Sequence, residues 1–157
     1  ENDVFARIIT FGKAYGCHGA AVLGNKILRD YLINYSRAFI YTTALPLQSI
    51  LAIKNAHDFL LQNLSRIDKL KKLIKYFNSS LITHHPSPIS ESAIQCIIIP
   101  NNDKVKKLAS KIEKQGFDVR PILSPTVPKG KERLRICLHS FNTKEQIDNL
   151  IHVINNQ

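Results

Sequence analysis

The chain has 157 residues, a length that suits one domain or two small ones. Its 22 lysine and arginine residues against 12 aspartate and glutamate residues give a formal net charge of +10. This charge leaves a non-catalytic nucleic-acid-binding domain open as a remote alternative, although the basic residues are dispersed and no aromatic stacking platform is evident. No apolar stretch approaches the roughly 20 residues that span a bilayer, so the sequence predicts no membrane segment.

The cysteine content excludes a disulfide-rich secreted protein and a cysteine metal site. The three cysteines, Cys17, Cys96 and Cys137, are widely spaced and odd in number. Such spacing builds neither a disulfide framework nor a set of metal ligands, so we expect no metal. The sequence therefore predicts reduced, buried thiols in a cytoplasmic protein.

The first segment of the chain is predicted to be a strand that ends in a glycine-rich turn. Residues 4–10 form this strand, residues 19–24 form a second strand beside it, and Lys13 stands in the turn between them. Two strands alone are marginal in stability. We therefore expect this pair to be the edge of a larger sheet whose other strands lie outside the chain.

Lys13 has small neighbours in this turn, which suits a nucleophilic amine that must reach a planar cofactor. A solvated lysine in a glycine turn is the alternative interpretation. A phosphate-binding P-loop is excluded, because the spacing before the lysine is wrong and Ala14 stands where a serine or threonine is needed.

Three helices and one extended segment are predicted after the turn. Asn25 caps a helix through residue 35, residues 39–43 are extended, and Pro46 opens a helix that runs to about residue 62. A third helix begins at Ser65. Helical spacing predicts inward-facing side chains on the helix after Pro46, at Ile50, Leu51, Ile53, Ala56, His57 and Leu60.

The last part of the chain is predicted to be a compact α+β unit. Residues 83–92 are rich in proline and serine and form a linker. After the linker the pattern predicts strand, helix, strand, strand and helix, which gives a small antiparallel sheet with helices packed on one face. Thr143 and Gln146 form a capping-box pattern at the start of the last helix.

The predicted strand at residues 133–139 alternates between apolar and polar side chains. Its apolar side chains face the helices, whereas Arg133, Arg135, Cys137 and His139 face the opposite way. Arginines on a central strand are costly unless they meet an anion, and a guanidinium fork matches a carboxylate. The alternative is a surface charge on an open sheet, an interpretation that we adopt for Arg133 but not for Arg135.

Four separated motifs occur in one order along the chain. They are Thr10-x-x-Lys13 with the glycine-rich run at 16–24, the segment 37–46, the Ser-Pro-Thr-Val-Pro segment at 124–128, and Arg133-Leu134-Arg135. Together they resemble the α-oxoamine synthases, which are pyridoxal 5'-phosphate (PLP) enzymes of aminotransferase fold type I. The resemblance covers nearly the whole chain but only the C-terminal part of the family. It implies an α/β fold in which residues 1–64 are a remnant of the large PLP-binding domain and residues 65–157 form the small domain.

The resemblance also implies roles for five residues. Lys13 would be the catalytic residue that holds PLP covalently, Thr10 would contact the cofactor phosphate, and Arg135 would bind the carboxylate of the amino-acid substrate. Thr42 and Thr43 stand where the family reaches across a dimer interface to the phosphate of the partner subunit. For each of these two threonines, an ordinary β-forming role is equally open.

The implied reaction is a decarboxylating condensation of an amino acid, L-alanine or glycine, with an acyl-CoA in a homodimer, without nucleic-acid or membrane partners. Overall likeness of residues 124–135 favours the family member that joins L-alanine to pimeloyl-CoA in biotin biosynthesis. The member that joins glycine to acetyl-CoA is the alternative. The family's groups that stack on the cofactor ring and hold its pyridine nitrogen lie upstream of the region that this chain resembles. We therefore expect the 157-residue chain alone to be inactive.

Overall fold

The structure is a computed structural model that describes residues 3–81 and 90–156. The chain divides into two compact units, Glu1–Asn63 and Leu64–Gln157, which we call unit 1 and unit 2. Each unit combines helices with a small antiparallel sheet, so the predicted α/β class is confirmed. The predicted linker at 83–92 lies largely outside the described residues.

Unit 1 begins with a two-stranded antiparallel sheet and continues as helices. Strand β1 (Ala6–Thr10) pairs with β2 (Ala20–Gly24), so that Thr10 lies opposite Ala20. Helices α1 (Lys26–Tyr35), α2 (Arg37–Ile40) and α3 (Leu47–Gln62) follow. The Asn25 side chain caps α1 by accepting a hydrogen bond from the Leu28 N–H at 2.8 Å, as predicted.

The prediction of an extended segment at residues 39–43 is wrong. Phe39 and Ile40 belong to α2, and the N–H groups of both donate to the Ser36 carbonyl at 2.9 Å. The Arg37 guanidinium also lies 5.9 Å from the centre of the Tyr41 ring, a distance at which a cation and a ring attract. A β-prone composition produces a strand only where a partner strand is present, and here the local turn hydrogen bonds prevail.

Unit 1 lacks a buried core within residues 3–63. Two of the residues predicted to face inward on α3, Ile50 and Leu51, are 49% and 48% exposed, and His57 is also exposed. The others, Ile53, Ala56 and Leu60, are half-buried. Helical spacing shows that these side chains share a face, but it does not show that another element covers that face.

Unit 2 has the predicted order of elements. Helix α4 (Ser65–Leu81) precedes the sheet region, which runs β3 (Ile94–Ile98), α5 (Asn102–Glu113), β4 (Arg120–Ile122), β5 (Arg133–Cys137) and α6 (Lys144–Asn155). The sheet is antiparallel throughout, in the order β3-β5-β4, so β5 is central. Both hydrogen bonds of the capping box between Thr143 and Gln146 are present, which confirms that prediction.

The core of unit 2 lies between one face of this sheet and helices α4, α5 and α6. Leu134, Ile136 and Leu138 are buried, whereas Arg135 and Cys137 are exposed, so the predicted alternation is confirmed. The buried cluster consists of Leu73, Ile74, Phe77, Leu81, Ile97, Ile99, Val105, Leu108, Ala109, Ile112, Val119, Leu134, Ile136, Leu138, Ile147, Leu150, Ile151 and Ile154.

The cysteines depart from their predicted burial. Cys17 and Cys96 are half-buried and Cys137 is exposed, and all three are free thiols. The prediction fails at Cys137 because the alternation along β5 buries Ile136 on one face and places this thiol on the open face. Within residues 3–81 and 90–156, no helix has the length and hydropathy needed to cross a membrane.

Candidate active-site residues

The turn that carries Lys13 is held by its own backbone. The Phe11 N–H donates to the Gly19 carbonyl at 2.9 Å, and the Cys17 N–H donates to the Phe11 carbonyl at 2.8 Å. Gly16 and Gly19 have φ values of 62° and 125°, in the region that favours glycine. The glycines of the motif therefore allow the chain to leave β1, pass through Lys13 and return into β2.

Lys13 and Thr10 lie together at the end of β1. The Lys13 Nζ donates a hydrogen bond to the Thr10 Oγ1 at 3.0 Å, and both residues are exposed. A three-residue spacing across a strand end and turn thus places a primary amine beside a hydroxyl. This is the contact that the Thr10-x-x-Lys13 motif produces.

An aromatic residue in the same turn contacts helix α3. The Tyr15 hydroxyl and the His57 Nδ1 are 3.1 Å apart, and the two rings are nearly parallel with centroids 6.4 Å apart. The Phe11 ring meets the Tyr15 ring edge-on at 5.4 Å. This contact was not predictable from sequence patterns, because 42 residues separate its partners and no short motif joins them.

Thr42 and Thr43 lie in the irregular segment after α2, and both are exposed. The Thr42 N–H donates to the Phe39 carbonyl at 3.4 Å. Of the four cofactor-binding candidates, the structure joins Thr10 and Lys13 by a hydrogen bond. Thr42 and Thr43 form no hydrogen bond with this pair within the described part of unit 1.

Arg135 lies on the open face of the sheet in unit 2. In the antiparallel register it stands between Cys96 on β3 and Arg120 on β4. The Arg133 Nε donates to the Lys131 carbonyl at 2.9 Å, which fits the surface role predicted for Arg133. Among residues 3–81 and 90–156, no carboxylate forms an ion pair with Arg135.

The loop that leads into β5 is fixed by a buried carboxylate. Glu132 is 2% exposed, and its Oε2 accepts hydrogen bonds from the N–H groups of Asn101 at 3.0 Å and Gly130 at 2.9 Å. The backbone N–H of Asn101 is the largest cause that lowers the pKa of Glu132 from its ordinary value. This contact holds the start of β5, and with it the position of Arg135, against the turn before α5.

A second contact fixes the Ser-Pro-Thr-Val-Pro segment. The Asn102 Oδ1 accepts from the Ser124 N–H at 2.9 Å, while the Asn102 Nδ2 donates to the Ser124 carbonyl at 3.2 Å. Asn101 caps α5, because its Oδ1 accepts hydrogen bonds from the N–H groups of Asp103 and Lys104. Since Asn101 is the cap, the Asn102 side chain is available to bind the loop.

Comparison with known proteins gives the family. The sequence profile of the class I and II aminotransferases matches residues 3–154, which is nearly the whole chain. The chain belongs to the aminotransferase class I and II family. The resemblance of its motifs to PLP enzymes of this fold is thereby confirmed at the level of the family.

Relatives within the family carry a more specific name. The chain is 40% identical to the 8-amino-7-oxononanoate synthase of Emericella nidulans over 161 aligned residues, covering 98% of this chain and 39% of that protein. It is 38% identical to the 8-amino-7-oxononanoate synthase of Buchnera aphidicola subsp. Baizongia pistaciae, covering 93% of this chain and 38% of that protein. The chain therefore spans less than two-fifths of the length of these relatives.

Two solved structures share the fold of this chain. The 8-amino-7-oxononanoate synthase of Francisella tularensis is 28% identical with a TM-score of 0.84, over 97% of this chain and 45% of that chain. The serine palmitoyltransferase of Sphingomonas wittichii has a TM-score of 0.86 at 20% identity, over 99% of this chain and 40% of that chain. At 20% identity, the likeness to the serine palmitoyltransferase shows a common fold and nothing further.

Proposed function

We propose that this chain is the C-terminal portion of a PLP-dependent acyltransferase that condenses an amino acid with an acyl-CoA and releases carbon dioxide. The specific proposal is 8-amino-7-oxononanoate synthase, with L-alanine and pimeloyl-CoA as substrates in biotin biosynthesis. The observation that carries the proposal is the 3.0 Å contact between the Lys13 amine and the Thr10 hydroxyl at the end of β1. The names of the relatives support the choice within the family.

The residues of the turn fit two parts of PLP. A primary amine is the group that reacts with the cofactor's aldehyde, and Lys13 presents one on an exposed side chain between the small residues Gly12 and Ala14. A hydroxyl can donate a hydrogen bond to a phosphate, and Thr10 presents one beside that amine. When bound, PLP supplies an electron sink for carbanion chemistry.

The chain's own residues would divide the remaining work. Lys13 would hold the cofactor through its Nζ. Once the amino group of the substrate has taken the place of this Nζ, the freed amine would accept the proton from the α-carbon of the amino acid. Thr10 orients the phosphate, and Thr42 and Thr43 reach the phosphate of the partner subunit in a homodimer. Arg135 binds the substrate carboxylate with its guanidinium fork, which fixes the α-carbon for proton removal.

The proposal also assigns the two parts of the chain. Residues 1–64 would be the remnant of the large PLP-binding domain, and residues 65–157 the small domain that carries the substrate arginine. The division of the chain between Asn63 and Leu64 supports this assignment. The protein is proposed to act in the cytoplasm without nucleic-acid or membrane partners.

The test is release of CoA by the full-length protein. With PLP, L-alanine and pimeloyl-CoA, we expect CoA release that exceeds the rate with glycine and acetyl-CoA. The 157-residue chain alone should give none with either pair. A full-length protein that binds PLP but releases CoA with neither pair contradicts the proposal, and a higher rate with glycine and acetyl-CoA replaces it by the alternative.

A further inference from the structure

Two arginines lie side by side on the open face of the sheet in unit 2. Arg120 on β4 is the direct partner of Arg135 on β5 in the antiparallel register. Directly opposed residues carry their side chains on the same face, with Cβ atoms about 4.5–5.5 Å apart. Like charges at this spacing destabilise a strand pair, and an anion bound between them would relieve that repulsion.

Arg120 already holds a carboxylate from its own strand region. Its Nε is 2.9 Å from the Asp118 Oδ1, and its Nη2 donates to the Asp118 Oδ2 at 3.2 Å. This two-point contact is the geometry in which a guanidinium binds a substrate carboxylate. The two side chains are 66% and 76% exposed, so the ion pair contributes little to stability and opens at small cost.

The other charged groups of this face have different environments. Arg135 has no carboxylate partner among residues 3–81 and 90–156, and the Arg133 guanidinium is directed to the Lys131 carbonyl. Arg120, Arg135 and Asp118 line one groove of about 530 Å³, together with His139 and Phe141. A small amino acid fits in a groove of this size.

We propose that Arg120 and Arg135 together bind the α-carboxylate of the amino-acid substrate, and that Asp118 competes with this carboxylate for Arg120. The inference rests on the proposed function, which assigned the carboxylate to Arg135 alone. Arg120 is a second binding residue, because its guanidinium touches the substrate. Asp118 is a positioning residue, because it acts only by occupying Arg120.

The first experiment titrates L-alanine into the full-length protein loaded with PLP, without acyl-CoA, and follows the absorption of the bound cofactor. Arg120→Gln should weaken L-alanine binding about tenfold, because one charged hydrogen-bonding partner is lost. Asp118→Asn should tighten it about threefold, because the exposed competitor is removed. Arg120→Lys should restore part of the loss, since the charge remains without the fork.

Arg133→Gln is the matched control, because it removes another arginine of the same face whose guanidinium is already engaged. Its L-alanine affinity should stay within about twofold of the wild-type value. A merely structural role for Arg120 and Asp118 predicts that both substitutions weaken binding together. Unchanged affinity in Arg120→Gln, or weaker binding in Asp118→Asn, overturns the inference.

A second experiment separates this inference from the proposed function. Acetate is titrated into the 157-residue chain, and the Nε–H NMR signals of Arg120 and Arg135 are followed without cofactor or turnover. If the two guanidinium groups share the anion, both signals follow one saturation curve. Arg120→Gln should then lower the acetate affinity that the Arg135 signal reports. If Arg120→Gln leaves the acetate titration curve of Arg135 unchanged, the shared site is overturned.

The two proposals can also fail separately. If both arginines follow one acetate curve in the 157-residue chain but the full-length protein does not respond to L-alanine, the arginine pair is supported and the proposed function is contradicted.

Discussion

The two units differ in what surrounds their apolar side chains. In unit 2, Phe77, Ile97 and Leu134 are completely buried in the cluster between the sheet and three helices. In the described part of unit 1 no residue is buried, and Phe5 and Ile27 expose 75% and 80% of their surface. Since apolar burial is the dominant favourable term in folding, unit 2 has its own source of stability and unit 1 has little of one.

This difference bears on the two proposed site residues. Arg135 stands on a strand whose other face is packed in a core, so its position depends on buried neighbours on the same chain. Lys13 stands in a turn that depends on backbone hydrogen bonds and on the contact between Tyr15 and His57. The proposed cofactor residue therefore lies in the unit whose apolar side chains are exposed, and the proposed substrate residue lies in the unit with a buried core.

The largest expected effect is the loss of Lys13 in unit 1. Lys13→Ala in the full-length protein removes both the covalent attachment of PLP and the proposed base. Turnover of L-alanine and pimeloyl-CoA should fall by at least about 10²–10⁴-fold, the contribution of a positioned proton-transfer group. Steady-state CoA release measures it, and a variant that keeps a tenth of the wild-type rate contradicts the role.

A matched pair of phenylalanine substitutions sharpens the contrast between the units. In the 157-residue chain, Phe77→Ala should destabilise unit 2 by about 3–5 kcal/mol, because it leaves a cavity in the core. Phe5→Ala removes a side chain that is 75% exposed and should change stability by under about 0.5 kcal/mol. Denaturant unfolding, followed by the NMR signals of each unit, measures the change in stability caused by each substitution. Equal changes would contradict the proposed difference in packing between the two units.

Arg135→Ala tests the proposed role of unit 2 in the full-length protein. Amino-acid binding should weaken by about 2–5 kcal/mol, as when one partner of a hydrogen-bonded charge pair is truncated. PLP loading should survive, because the cofactor is proposed to be held in unit 1. The two properties are measured by L-alanine titration and by cofactor content, and unchanged L-alanine affinity refutes the assignment.

The smallest expected effect is a pH dependence that originates at Glu132. The folded-state pKa of this group is lowered, chiefly by the N–H of Asn101, so its contribution to stability is complete above the unfolded-state pKa. It is lost as pH falls through the lower, folded-state value. Unfolding of unit 2 should therefore become easier in acid, and Glu132→Gln should remove this part of the dependence. Parallel pH profiles for the two proteins would exclude Glu132 as the cause.

Features carried by short sequence patterns were predictable. The capping box needs only Thr143 and Gln146, three residues apart, and the alternation on β5 needs only neighbours on one strand. Both signals describe contacts whose partners are close in sequence. The residues of the Thr10-x-x-Lys13 motif are also close in sequence, and the structure places its amine and hydroxyl in contact at the end of β1.

Features that depend on distant partners were not predictable. The contact of Tyr15 with His57 joins two elements with no common motif, and the apolar stripe of α3 gave no sign that Ile50 and Leu51 would be exposed. Arg120 lies opposite Arg135 because of the register between β4 and β5. The sequence pattern of either strand alone does not specify this register. Periodicity identifies a face, and only the structure shows what lies opposite it.

The position at which PLP is attached tests the proposed role of Lys13 directly. The full-length protein is loaded with PLP, reduced with borohydride and digested, and the peptide that carries the pyridoxyl group is sequenced. We expect the label on Lys13, in the turn after β1. A label on any other lysine contradicts the assignment of the cofactor to this turn and with it the proposed function of unit 1.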